Sequence, residues 1–147
     1  MTQIQELQKR IGETNGKNGF NEYEKLPPEH QNNYIGNKLM LVGSELAEAQ
    51  DELRTGHPID ETYYTTPPVP TSLAVEFPSG GDAQEYWNEY QAAIPGPKKP
   101  EGFPSEIADA VIRLFGVAYE TGIDLEAAIR EKMAYNDTRP FKHGKKF

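Results

Sequence analysis

Apolar residues recur at three- and four-residue steps in four stretches of this chain, the spacing that places them on one face of a helix. Gly122 and Asp124 separate the last two stretches as a helix-ending glycine and an N-cap. No stretch keeps the strict alternation that is typical of a strand. The pattern therefore predicts an all-α protein with a core of the four-helix-bundle type. The four predicted helices cover residues 2–13, 34–54, 104–121 and 124–136.

Two of these helices carry narrow apolar seams. The seam of the second helix consists of Leu39, Val42, Leu46, Ala49 and Leu53. The seam of the third helix consists of Ile107, Val111, Leu114 and Ala118. Seams of this width pack against one another in helix bundles, so we expect the two to pack together antiparallel.

The connection between these helices has a different composition. Residues 55–104 hold nine of the twelve prolines, which favours a long irregular segment over a core helix. The stretch GDAQEYWNEYQAAI within it predicts one further amphipathic helix. We therefore expect a single domain, residues 1–147, with a Pro-rich insertion over 55–103 and a basic tail over 137–147.

Composition narrows the class of protein. Only 36% of the 147 residues are hydrophobic, so either the loops are long or a partner chain completes the core. There is no Cys, which excludes disulfides and a thiolate zinc site. No apolar run approaches the roughly 20 residues that span a bilayer, and the first residues lack the apolar core of a signal peptide. We expect a cytoplasmic protein with no membrane partner.

The charge is negative overall but unevenly distributed. A net charge of −8 argues against general nucleic-acid binding. Residues 130–147, however, contain six Lys or Arg against two acids. An acidic body with a basic end suits a protein that binds a cation with one part and an anion with the other, although a basic tail also serves solubility alone.

Two pairs of carboxylates flank the seams. The stretch GSELAEAQDELRTG is acidic and has its one basic residue near its end. Within it Glu45 and Glu48 lie roughly 60° apart on one flank of the helix, and Glu106 and Asp109 take the same position on the third helix. If the seams pack antiparallel, the four carboxylates converge on one rim, where two of them would take up protons or the packing would loosen. A divalent cation, which the acidic stretch does not supply, removes this repulsion.

The ligand types indicate which cation this is. Carboxylate oxygens without Cys suit Mg²⁺, with Mn²⁺ as the alternative, rather than zinc. A single Glu pair at this spacing is common on ordinary solvated helices. Two pairs on matching flanks make a metal site a serious alternative to a plain acidic surface.

Three stretches resemble the MazG-like, all-α nucleoside triphosphate pyrophosphohydrolases of phages and bacteria. They are SELAEAQDEL, PSEIADAVIRLFGVAYETGIDLEAAI and EKMAYNDTRPFKHGKKF. The family signature, ExxE followed by ExxD, implies that Glu45, Glu48, Glu106 and Asp109 bind Mg²⁺. The implied reaction converts a (d)NTP to (d)NMP and pyrophosphate through attack of a metal-activated water on the α-phosphorus.

The resemblance also implies residues that contact the substrate. A Lys, an Asn and an Arg near the end of the family pattern match Lys132, Asn136 and Arg139, which are expected near the phosphates or the nucleotide. Glu48, or else Glu45, would accept the proton of the attacking water. Lys132 would also act in catalysis by stabilising phosphate charge.

Two residues outside these motifs are further candidates for substrate binding. Lys38 precedes the carboxylates of the second helix, and Trp87 in the insertion has a ring able to stack on a base. The ordinary alternatives are a solvated helix start for Lys38 and simple packing for Trp87.

Family members assemble as dimers or dimers of dimers, which matches the lean core and predicts a homo-oligomer. The resemblance further implies a role in sanitising or controlling the nucleotide pool, in the host cytoplasm if the chain is phage-encoded. The 57 residues between Glu48 and Glu106 make a longer gap than compact members have. The Pro-rich insertion would then extend one end of the bundle.

Two other functions remain open. One is the related phosphoribosyl-ATP pyrophosphohydrolase reaction, against which the long insertion argues. The other is a helical module that binds nucleotides or another protein without turnover. The four carboxylates, together with Lys132 and Asn136, argue against this second alternative.

Overall fold

The computed structural model describes residues 1–77 and 80–140, and within these ranges it is helical with no strand. This confirms the all-α prediction; residues 141–147 of the predicted basic tail lie outside the described part. None of the helices in these ranges has both the length and the apolar character needed to cross a bilayer. The helices are α1 (Gln3–Lys17), α2 (Pro28–Glu52), α3 (Thr71–Ala74), α4 (Gly80–Ala93), α5 (Phe103–Glu120) and α6 (Leu125–Asp137), with a 3-10 turn at Tyr23–Lys25.

The first two helices are longer than their sequence patterns predict. α1 continues to Lys17, four residues past its predicted end, and the glycines in its second half do not interrupt it. α2 begins at Pro28, six residues before its predicted start. Proline suits the first helical position because its missing N–H would have no partner there, and the His30 N–H donates to the Pro27 carbonyl at 2.9 Å.

The junction between α5 and α6 follows its sequence signals. Gly122 adopts a positive φ of 69°, and the Ile123 N–H donates to the Ala118 carbonyl at 2.9 Å, as in a Schellman motif. The Asp124 side chain then accepts from the Ala127 N–H at 3.0 Å and caps α6. The predictions of a C-terminal glycine and an N-capping aspartate are both confirmed.

The chain divides into two compact units, of which the first is Met1–Ala47 with Ile107–Phe147. In this unit α1 approaches α5 closely, because a Cβ at Gly12 would lie 2.0 Å from Cγ of Tyr119. The start of α1 contacts α6 as well, because the hydroxyl of its N-cap, Thr2, donates to the Glu126 carboxylate. Gly12 therefore does not end α1; it allows the close contact between α1 and Tyr119 of α5.

The second unit, Glu48–Glu106, contains most of the predicted Pro-rich segment. The predicted extra helix is present as α4, against which α3 packs. Tyr63 connects several parts of this unit. Its backbone forms two N–H···O hydrogen bonds with the backbone of Glu101, at 3.1 and 2.9 Å, and its ring stacks on that of His57 with 4.2 Å between the ring centroids. Its hydroxyl donates to Glu52 at 3.0 Å. Burial, followed by this hydrogen bond, raises the pKa of the Tyr63 phenol.

The core of the described chain is made of small side chains. No large side chain in the described ranges is fully buried, and three members of each predicted seam are exposed. The larger members of the two seams are therefore only partly covered within this chain. Leu39, Leu46, Val111 and Leu114 are between 40% and 52% exposed. The buried hydrophobic residues are Ile11, Val42, Ala49, Ala83, Ala110, Val117 and Ala118.

Candidate metal centre

Glu45 lies on the buried side of α2. It follows Val42 by three residues and precedes Ala49 by four, and all three side chains are buried because these spacings share one helix face. The sequence pattern places Glu45 on the flank of the seam, whereas the structure places it in the buried stripe. A carboxylate withdrawn from water in this way requires a positively charged partner to stay ionised.

Glu106 and Asp109 lie one turn apart near the start of α5. Glu106 is buried and Asp109 is half-buried. One oxygen from each lies within 4.8 Å of the others and of an oxygen of Glu45, which is a grouping that could hold a metal ion. Both α2 and α5 run unbroken through the points where the chain divides into its two units. Three of the four predicted metal ligands are thus brought together on two continuous helices.

Glu48 occupies a different position. It lies one turn after Glu45 on α2 and is exposed. Among the carboxylates that the structure describes, it is not a member of the Glu45, Glu106 and Asp109 group. Asp51, in the same acidic stretch, is exposed as well and pairs with Arg54, as an ordinary surface residue does.

Glu45 has a counter-ion within the chain. The Nε and Nη2 atoms of Arg113 each lie 2.6 Å from the same oxygen, Oε1 of Glu45. Arg113 follows Asp109 by four residues and Glu106 by seven, so all three lie on one face of α5. The positive charge that the acidic stretch lacks comes from another helix of the same chain. The helical spacing from Asp109 to Arg113 shows that Arg113 shares the face of the predicted ligands on α5, but it does not indicate a contact with Glu45.

A cavity of about 580 Å³ lies in the first unit beside Asp109 and Arg113. Its wall also includes Phe20, Asn37 and Lys38. Small-molecule sites usually have volumes of several hundred cubic ångströms and combine apolar walls with a few polar groups. The cavity therefore has the size and lining of a ligand site, and one of the three grouped carboxylates belongs to its wall.

Lys38 is held firmly at this wall. Its ammonium pairs with the Glu120 carboxylate and donates to the Phe20 carbonyl at 2.8 Å. Burial by itself lowers the pKa of Lys38, but the hydrogen bonds to Glu120 and Tyr34 outweigh it, so that the pKa is raised above its usual value. Lys38 is thus a fixed positive charge at the cavity, as well as a structural partner of α5.

Glu120 is the functional neighbour that the sequence does not reveal. Its buried carboxylate accepts from Lys38, from the Tyr34 hydroxyl at 2.9 Å and from the backbone N–H groups of Glu22 and Tyr23 at 3.2 and 3.3 Å. These bonds tie the turn after α1, which carries Phe20, to the end of α5. A glutamate at the end of a helix gives no sequence signal for such a role.

The three residues that the resemblance places near the phosphates lie on and after α6. Lys132 and Arg139 sit over the ring of Tyr135, at 5.1 and 5.9 Å from its centroid, and Asn136 is exposed between them. None of the three belongs to the described wall of the cavity. They form a separate basic surface at the end of the helix.

Trp87 lies in the second unit. Its indole N–H donates to the Pro67 carbonyl at 2.6 Å, and its ring stacks with Tyr90 at 5.5 Å between centroids. These contacts attach α4 to the proline-rich segment before it. They are the contacts that the ordinary packing interpretation of Trp87 predicts.

Comparisons of the chain with protein-family models, with curated proteins and with solved structures found no match.

Proposed function

We propose that this protein is a Mg²⁺-dependent nucleotide pyrophosphohydrolase that cleaves a (d)NTP to (d)NMP and pyrophosphate and so controls or sanitises a nucleotide pool. The observation that carries the proposal is the grouping of Glu45, Glu106 and Asp109, whose oxygens lie within 4.8 Å of one another. These residues stand in the ExxE and ExxD patterns from which the sequence resemblance starts. The adjacent cavity gives the substrate a place beside them.

The donor set fits a hard divalent cation. The three carboxylate oxygens lie within 4.8 Å of one another, and oxygen atoms of carboxylates are the ligands that Mg²⁺ takes in proteins. Mn²⁺ is the alternative for the same oxygen ligands. When bound, the metal would supply charge neutralisation for the phosphates and a more acidic water.

The residues of the chain would share the remaining tasks. Glu48, exposed one turn after Glu45, would accept the proton of the attacking water. Lys38 at the cavity wall would attract the triphosphate. Lys132 and Arg139, on the basic surface at the end of α6, would contact the phosphates or the nucleotide only if the substrate spans from the cavity to that helix.

The reaction is tested with ¹⁸O-labelled water and Mg²⁺ on each (d)NTP in turn. We expect (d)NMP and pyrophosphate in equal amounts, with the ¹⁸O in the (d)NMP because water attacks the α-phosphorus, and no turnover when EDTA removes the metal. Mass spectrometry of both products locates the label. Orthophosphate with (d)NDP, or label in the pyrophosphate, would contradict the proposed attack.

A second candidate is a module that binds nucleotides without turnover. The ion pair between Glu45 and Arg113 favours it, because this pair already compensates one buried carboxylate without a metal. Such a module would bind (d)NTP with the same affinity before and after EDTA treatment and would release no product. Calorimetric titration of the protein with a (d)NTP, alongside the product assay, separates the two functions.

The proposal includes assembly as a homodimer, or a dimer of dimers, through the exposed seam residues of α2 and α5. Leu39 and Leu46 are 48% and 52% exposed, and Val111 and Leu114 are 40% and 43% exposed. The small side chains of the core leave these larger apolar groups exposed, which is typical of surfaces that bind another protein chain. A second copy of the chain offers the same apolar seam in return, as a two-fold interface requires.

Light scattering after size-exclusion chromatography tests this assembly. We expect at least twice the monomer mass for the wild type and the monomer mass for Leu46→Glu, which places a charge in the apolar surface. Leu7→Glu is the matched control, because Leu7 is similarly exposed, at 45%, but lies on α1 and not on α2 or α5. A monomeric wild type, or unchanged mass for Leu46→Glu, would contradict the assembly.

A further inference from the structure

We infer that Arg113 is an exchangeable internal counter-ion: it holds Glu45 while no divalent cation is bound, and once a cation takes Glu45 it becomes an anion-binding group of the cavity. The inference rests on the metal centre of the proposed function. It assigns to Arg113 a role that neither the carboxylate motifs nor the basic residues of the last helix contain.

The two members of the pair are unequally buried. The Glu45 side chain is 9% exposed and that of Arg113 is 41% exposed. Glu45 is therefore largely withdrawn from water, whereas the guanidinium is partly exposed and has solvent into which it can turn. If the guanidinium leaves, a buried carboxylate is left without a partner, which is strongly unfavourable unless another cation arrives. In the proposed exchange, a divalent cation therefore replaces the Arg113 guanidinium while the Glu45 carboxylate stays in place.

The contact between Arg113 and Glu45 is not the strongest form of an arginine–carboxylate pair. Both nitrogens of Arg113 approach one oxygen of Glu45, whereas the strongest guanidinium–carboxylate pairs use two parallel bonds to two oxygens. Glu106 and Asp109 place two further carboxylate oxygens within 4.8 Å of Glu45. A divalent cation held by this group would bind Glu45 together with the other two carboxylates.

A second ion pair between an arginine and a buried glutamate lies away from the grouped carboxylates and serves as a comparison. Arg130 contacts Oε1 of the buried Glu126 through Nε at 2.7 Å and Nη2 at 2.6 Å. Glu126 also accepts from the Thr2 hydroxyl, so its carboxylate does not depend on the arginine alone. The hydrogen bond from Thr2 and then that from Arg130 hold the pKa of Glu126 below its usual value. This pair lies outside the described carboxylate group and is a matched reference for Arg113.

Arg113 can bind an anion in the cavity once it has left Glu45. Arg113 and Lys38 both belong to its wall, but the Lys38 charge is already compensated by Glu120. Departure of Arg113 from Glu45 therefore adds an uncompensated positive charge to the wall at the moment the metal binds. A guanidinium in that state binds phosphate oxygens well. Metal binding would in this way prepare the cavity for a polyphosphate.

Calorimetric titration of the full chain with Mn²⁺ alone tests the first half of the inference. Arg113→Gln removes the competing cation, and we expect it to bind Mn²⁺ about tenfold more tightly than the wild type, while Arg130→Gln binds it as the wild type does. Without metal the unfolding temperature of Arg113→Gln should fall, and saturating Mn²⁺ should raise it by more than it raises that of the wild type. Arg113→Lys, which keeps the charge, should give an intermediate affinity.

Titration with inorganic pyrophosphate tests the second half. In the presence of Mg²⁺, Arg113→Gln should bind pyrophosphate at least tenfold more weakly than the wild type or Arg130→Gln, although its metal site is fully loaded. Equal or weaker Mn²⁺ binding by Arg113→Gln than by the wild type, or unchanged pyrophosphate binding, overturns the inference and leaves the proposed reaction standing. Failure of the wild type to bind Mn²⁺ overturns both. Metal exchange without release of (d)NMP overturns the proposed function alone.

Discussion

Asp109→Asn is expected to lower the rate of (d)NMP and pyrophosphate release at least about 100-fold, which corresponds to about 2.7 kcal/mol of transition-state stabilisation. Asp109 is the carboxylate that belongs both to the grouped ligands and to the wall of the cavity. Asparagine has nearly the same shape but no negative charge. The substitution therefore removes one negative charge from the ligands of the expected metal while it preserves local packing.

The measurement is the initial rate of product release at saturating (d)NTP over a range of Mg²⁺ concentrations. Asp109→Asn is preferred to a change at Glu106, because Glu106 is buried and its replacement would disturb packing as well. Asp51→Asn is the control: Asp51 is exposed on α2 and pairs only with the equally exposed Arg54, so its rate should match the wild type. If Asp109→Asn keeps its unfolding temperature and retains the wild-type rate, the carboxylate group is not the metal centre.

The helices of the fold were largely predictable because their signals are local. Apolar spacing located α5 and α6, and Gly122 with Asp124 marked their junction correctly. The errors at α1 and α2 have one cause in common, which is that glycine and proline have different effects at different helix positions. Pro28 starts α2 instead of preventing it, and Gly12 serves a close contact with Tyr119.

The partner of an apolar seam was not predictable in the same way. The spacing of Leu39, Leu46, Val111 and Leu114 shows that they share faces on their helices, but the same spacing arises whether the face meets its own chain or another. Their exposure in the structure is information that only three-dimensional packing contains. The lean hydrophobic content was the one sequence feature that hinted at this outcome.

The acidic residues of the candidate site were predictable from the sequence, but the contacts of its basic residues were not. Glu45, Glu106 and Asp109 stand at recognisable intervals, so their grouping could be expected from helix geometry. The ion pairs of Arg113 and Lys38 connect residues 68 and 82 positions apart. No helical period relates such positions, and each pairing depends on how two helices happen to face each other.

Glu120→Gln is expected to lower the free energy of unfolding by about 3 kcal/mol, the low end of the cost of breaking a buried ion pair. The Glu120 side chain is 2% exposed and that of Lys38 is 19% exposed. Glutamine offers a single acceptor oxygen where the carboxylate serves Lys38, Tyr34 and two backbone N–H groups, and its amide N–H₂ meets donors. The partial exposure of Lys38 lets water relieve part of the loss, which is why the low end applies.

Urea unfolding near neutral pH is the appropriate measurement. The pKa of Lys38 is raised in the folded protein, so its contribution to stability is complete below the unfolded-state pKa near 10.5 and disappears only as the pH rises through the higher folded value. Glu13→Gln is the control, because Glu13 forms an exposed pair with Lys9 at 3.8 Å and should cost no more than about 0.5 kcal/mol.

A double-mutant cycle separates the ion pair from the rest of the Glu120 network. Lys38→Met with Glu120→Gln should cost less than the two single changes added together, because neither partner is then left buried alone. Strict additivity would mean that the two side chains do not interact in the folded protein. The same variants should also bind inorganic pyrophosphate more weakly, since Glu120 fixes the turn carrying Phe20 and orients Lys38 at the cavity wall.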